Sequence, residues 1–269
     1  MDETNDDPVP STPRARPSRR RLSVAGVLGE VLITAGVLTL LYVGWQLWIG
    51  DLIFGAQRTA VGQDLSEQWE QEYADPAATT PAPTASAEAT PTETPAPPQA
   101  EPVILPEAGD GETFAVMRIP RFGADYAWQV AGGVTRAGTL DPIGIGHYPG
   151  TPMPGGVGNF AVAAHRTTWG APFNRLAELH VNDAIVVETE AGWYTYRFRT
   201  LEYVTPDEIE VLLPVPQVQD APAGSRYITM TSCSPMYSMT ERIVAYGVFE
   251  SFTPRASGPP VALTAGVDA

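Results

Sequence analysis

"SRYITMTSCSPMYSMTERIVAYGVFESF", Ser225–Phe252, is the stretch that decides the fold. Two runs rich in β-branched and aromatic residues, "SRYITMTSC" and "ERIVAYGVFESF", flank a loop from Ser234 to Glu241. Runs of that composition on either side of a short loop read as strands. Pro235 cannot continue a central ladder, so the first strand stops there. Antiparallel strands joined by so short a loop return Arg242 beside Cys233, nine positions earlier. Cys233 is the only cysteine of the chain, and it stands at a strand end, where a barrel presents side chains to a cleft.

Outward from this ribbon the same texture continues. "TFAVMRIPRFG" and "DYAWQVAGG" read as strands divided by Pro120 and Gly123, and "NFAVAAH" (Asn159–His165) is an apolar β-prone run behind Gly158. "DAIVVETEAGWYTYRFRTLEYV" is a hairpin turning at Glu190-Ala191-Gly192. Many short strands separated by turn signals indicate an all-β barrel or sandwich. "APFNRLAEL" is the best helical stretch and it is short; no internal repeat is present.

The first hundred residues have a different character. Arg14, Arg16, Arg19, Arg20 and Arg21 precede "VAGVLGEVLITAGVLTLLYVGWQLWI", Val24–Ile49. That run is long enough for a bilayer, which needs about 20 apolar residues, and too long for a cleaved signal peptide. The arginines place the N-terminus in the cytoplasm, and Tyr42, Trp45 and Trp48 suit the far interface. Glu30 lies in the first turns and reads as tolerated near the membrane edge. Asp51–Glu72 reads as a short amphipathic helix, with Leu65 and Trp69 four apart, lying at the membrane surface. Asp75–Pro102 is Pro, Thr and Ala with little to bury, and reads as an extended, disordered spacer. The expected organisation is a cytoplasmic tail (1–23), an anchor (24–49), a membrane-proximal segment and linker (50–103), a catalytic domain (104–254) and a disordered tail (255–269). With a formal net charge of −15 and no lysine, the chain is a poor candidate for nucleic-acid binding, which needs a basic face.

A single cysteine on an exported domain has no internal disulfide partner. It then implies an intermolecular bridge or a free thiol with a task, set against an inert buried side chain, and composition leaves these even. A catalytic thiol needs an acid/base and something to hold developing negative charge. Of the three histidines, His165 closes a strand, His147 sits in the Gly/Pro loop "GIGHYPGT", and His180 follows "AEL" and reads as solvated. Arg242 is the cation the ribbon brings back to the thiol, and guanidinium offers forked donors at any pH.

Taken together these residues resemble the sortases, cysteine transpeptidases of Gram-positive bacteria. "TMTSC" is similar to the family's T-L-x-T-C strand, with Met230 for Leu and Ser232 for Thr. Arg242 has the family's spacing, and "GNFAVAAHRTTWGAPFNRL" resembles its G-N-x-x-x-x-G-H-R segment, with Ala164 for Gly. "GHYPGTPMPGGVGNF" resembles class E members from actinobacteria. The resemblance covers roughly Ala115 to Phe252. It implies a closed eight-stranded barrel with short helices, preceded by one transmembrane helix. It implies Cys233 as nucleophile, His165 as general acid/base and Arg242 as oxyanion and substrate stabiliser, with no metal or cofactor. Substrate contacts are expected at Tyr148, Thr231 and Ser232, although Tyr148 also reads as a plain loop anchor. The implied partners are surface proteins ending in a Leu-Ala-x-Thr-Gly or Leu-Pro-x-Thr-Gly sorting signal and a peptidoglycan-precursor amine, met outside the membrane. An L,D-transpeptidase is excluded, because Ser232 and Pro235 stand where that motif needs Gly and Arg. An extracytoplasmic cysteine hydrolase and a non-catalytic sortase-like module remain as alternatives.

Overall fold

The computed structural model describes Ser23–Trp45, Gly50–Ala74 and residues 100–264. The arginine cluster and most of the Pro/Thr/Ala spacer lie outside the described residues. Two units are present, the first ending at Trp45. It contains helix α1 (Val24–Gly44), 21 residues with none buried, long and apolar enough to cross a membrane.

The second unit is built on a closed eight-stranded barrel. Its strands are β1 (Thr113–Arg118), β2 (Trp128–Gly132), β3 (Ile145–His147), β4 (Gly158–Ala164), β5 (Ala184–Thr189), β6 (Gly192–Val204), β7 (Arg226–Ser234) and β8 (Glu241–Pro254). Around the ring they run β1-β2-β3-β4-β7-β8-β6-β5. All pairings are antiparallel except β2 with β3 and β4 with β7. Side chains alternate along each strand, so one parity fills the interior. Phe160 and Val162 of β4, Ile228 and Met230 of β7, and Ile243 and Ala245 of β8 belong to the central core. The opposite parity, including Thr231, Cys233, Arg242 and Val244, therefore faces outward.

Strand β3 is absent from a reading of composition, because "GIGHYPGT" looks like loop. Its glycine explains both the appearance and the strand. A Cβ on Gly146 would lie 2.2 Å from the carbonyl oxygen of Gly133, so only glycine lets β3 close on the end of β2. "APFNRLAEL" is turn followed by a single 3₁₀ turn at Leu176–Glu178 rather than an α-helix. Phe173, Leu176 and Leu179 are all in the core, and a spacing of three suits 3₁₀ geometry.

Helix α2 (Gly50–Ala74) forms over the expected stretch and docks on the barrel. Leu65 and Trp69 pack with Val116 and Ala127. Gly62 permits the approach, since a Cβ there would meet the Ala127 carbonyl oxygen at 2.3 Å. Ser66 donates to Glu188, which is 1% exposed and also accepts from Arg118 and Arg255. Arg255 is stacked over Trp193 and Trp69. The segment expected to be a disordered tail is thus ordered at its start: Arg255–Ser257 form a 3₁₀ turn and Val261–Thr264 a short helix, α3. A buried ion pair with Glu188 is what a Pro/Gly/Ser-rich composition conceals.

Candidate active site

The register of the β7–β8 ribbon pairs Cys233 directly with Arg242. Cys233 is a free, half-buried thiol. Arg242 spends Nη1 on its own loop, donating to the carbonyls of Glu241 at 2.9 Å and Met239 at 3.1 Å. That anchors the guanidinium while its Nε and Nη2 make no hydrogen bond among the described residues, leaving a fork of donors for an incoming oxygen. Exposed Met236, Tyr237 and Met239 carry the connecting loop past the thiol.

On the other side of β7, strand β4 runs parallel to it with Ala163 paired to Thr231. The Ser232 hydroxyl donates to the Ala164 carbonyl at 2.7 Å and locks the strand ends together. Continued two residues, the Ala163–Thr231 register sets His165, just past the end of β4, level with Cys233 near the end of β7. The loop after His165 is pinned in three places. Phe173 N–H donates to the His165 carbonyl at 3.1 Å, Arg166 Nε donates to the Asn174 carbonyl, and Asn174 Nδ2 donates back to the Arg166 carbonyl. Between these pins Thr168, Trp169, Gly170 and Ala171 all have positive φ, a tight reversal that closes against α2 through Phe54 and Trp169.

The imidazole of His165 donates from Nε2 to Asp141 Oδ1 at 2.7 Å. Asp141 lies between β2 and β3, just after a π-helical turn at Arg136–Leu140. Sequence reasoning missed it, because nothing in "TLDPIG" connects it to a residue 24 positions on.

Of the expected substrate contacts, Tyr148 and Thr231 come together: their hydroxyls share a 2.9 Å hydrogen bond. Ser232 does not join them. It is 3% exposed, has the inward parity, and its hydroxyl is committed to Ala164. His147 is part of the core, stacked on Phe160, with Nε2 near Thr151 Oγ1 at 2.8 Å and the Pro152 carbonyl at 3.2 Å. Burial lowers its pKa and keeps it neutral. His180 is exposed, as expected.

The chain is similar to several known proteins. The Sortase domain family matches residues 117–250. Sortase SrtE1 of Streptomyces coelicolor is 31% identical over 93% of this chain, which spans 64% of that relative's length. Sortase SrtE2 of the same organism is 29% identical over 87% of this chain and 85% of its own. Among solved structures, the SrtA sortase of Actinomyces oris matches with a TM-score of 0.58 and 32% identity, over 62% of this chain and 97% of that one. Sortase E1 of Streptomyces coelicolor, solved with a tripeptide in the active site, matches with a TM-score of 0.53 and 33% identity, over 58% of this chain and 99% of that one. With its closed barrel and the ribbon that opposes Cys233 to Arg242, the chain belongs to the sortase family.

Proposed function

We propose that this protein is a membrane-anchored cysteine transpeptidase that joins surface proteins to the cell wall. The observation that carries the reading is the cross-strand pair Cys233–Arg242, with His165 emerging at the same level from the neighbouring strand. The Cys233 thiolate attacks the Thr–Gly carbonyl of a Leu-Ala-x-Thr-Gly or Leu-Pro-x-Thr-Gly sorting signal. Arg242 donates to the oxygen that becomes negative, which preorganised donors stabilise without reorganisation. His165 protonates the departing glycine amine, the C–N bond breaks, and a thioacyl enzyme remains. The His165 imidazole then takes the proton from an incoming cell-wall amine, whose attack breaks the C–S bond, releases the thiolate and forms a new amide. Tyr148 and Thr231, held together by their shared hydrogen bond, form the wall against which the signal lies. Helix α1 anchors the chain, with the arginine-rich N-terminus in the cytoplasm and the barrel outside, where sorting signals emerge.

The test is an incubation of the full chain in detergent with a labelled Leu-Ala-x-Thr-Gly peptide and a glycine-type amine. Ligated product supports transpeptidation. Cleavage that the amine never diverts identifies a hydrolase, and no turnover at all identifies a non-catalytic module.

A further inference from the structure

We propose that Asp141 is the positioning residue of the site, holding the His165 imidazole in the orientation and tautomer that acid/base work at Cys233 requires. The inference rests on the transpeptidase reading for its kinetics, but not for its geometry. A 2.7 Å hydrogen bond joins Asp141 Oδ1 to His165 Nε2. The acceptor is a carboxylate, so Nε2 carries the hydrogen and the lone pair of neutral imidazole is on Nδ1. Nδ1 makes no hydrogen bond among the described residues and is the nitrogen left for proton transfer. When the leaving amine takes a proton from the imidazolium, the carboxylate keeps the other N–H, so the same nitrogen gives and receives in both half-reactions. This is the division of labour that a buried Asp performs for His in serine hydrolases, with the two ring nitrogens exchanged.

The carboxylate is itself held. Asp141 N–H donates to the Arg136 carbonyl at 2.8 Å, closing the π-helical turn. The Arg136 guanidinium stands 3.6 Å from the same Oδ1 and is 70% exposed, so it is the other charge facing the pair. His165 and Asp141 side chains are 14% and 21% exposed, sheltered enough for the bond to orient the ring and open enough for small solutes to reach it.

The experiment compares wild type, D141N and D141A as full chains in detergent, with the labelled peptide and amine. We expect kcat of D141A to fall about 10- to 100-fold, less than the roughly 10²- to 10⁴-fold contributed by the general acid/base itself, with KM within about twofold. D141N, which keeps an acceptor oxygen without charge, falls between. Formate at high concentration should restore D141A several-fold and leave wild type unchanged. A merely structural role moves none of these together. D141A with wild-type kcat, or a loss that tracks thermal destabilisation and ignores formate, overturns the inference. If wild type makes no product, it is the transpeptidase reading that fails. The tautomer then decides the inference alone: with three histidines in the chain, long-range ¹H–¹⁵N spectra can assign His165. The Nε2–H form in wild type giving way to a mixture in D141A supports it; identical spectra overturn it.

Discussion

Two polar clusters on the outer surface of the barrel, on strands three places apart around the ring, are finished differently. Around Glu188, on β5 beside β1, the charges are buried and matched. One carboxylate takes Arg118, Arg255 and Ser66, with Trp69 and Trp193 flanking Arg255. Around Cys233, on β7, the groups are half-buried and underused: a thiol without a hydrogen bond among the described residues, and a guanidinium tied only through Nη1. Pairing of this kind spends most of the donors in the folded state and so favours stability. Donors left unspent cost stability and are available to a transition state. The difference fits a Glu188 cluster that holds α2 and the C-terminal segment on the barrel, and it supports the proposal that the Cys233 face carries the chemistry.

The largest expected effect breaks the second region. C233A should abolish ligation, and R242A should lower kcat by about 10²- to 10³-fold, the usual cost of removing an oxyanion donor; both should unfold at close to the wild-type temperature. A product-forming C233A protein would contradict the assignment. E188A attacks the first region. It strands two guanidinium groups, of which Arg255 is 3% exposed, and removing one partner of a buried pair costs about 3–5 kcal/mol. The midpoint of thermal unfolding should fall by roughly 10 °C, with kcat per folded molecule unchanged. G62A sharpens the comparison, because it forces α2 away from Ala127 without touching a charge. About 1–3 kcal/mol of overpacking cost is expected, read as a lower denaturant midpoint. If G62A changes activity rather than stability, α2 belongs to the catalytic region after all.

The smallest effect concerns pH. Burial lowers the His147 pKa. Above about pH 6.5 both folded and unfolded states hold this imidazole neutral; below it only the unfolded state takes up the proton. Stability should therefore decline as pH falls through that window, and H147Q should flatten part of the slope between pH 7.5 and 5.5 in urea titrations. An unchanged slope would show that other groups carry it.

Much of the molecule was legible in its sequence, and the exceptions share a physical cause. Seven strands announce themselves through runs of β-branched and aromatic residues, and the thiol–arginine pair follows from one short loop. The three-residue β3 does not, because the glycine that lets it approach β2 also gives it the composition of a loop. Ser232, expected among the substrate contacts, is turned inward by the period of two, away from Thr231 and Cys233. Arg255 and Asp141 could not be read at all. Their partners are 67 and 24 residues away, and a single charged residue in a Pro- or Gly-rich segment carries no periodic signal of what it will meet.

The most direct test of the account is the covalent state of Cys233. Full-length protein mixed with a Leu-Ala-x-Thr-Gly peptide in the absence of an amine, quenched in acid and weighed intact, should gain the mass of the acyl fragment ending at Thr. Peptide mapping should place that mass on Cys233, and it should disappear when the amine is added. Cleaved peptide with an unmodified cysteine, or an adduct on any other residue, would contradict it.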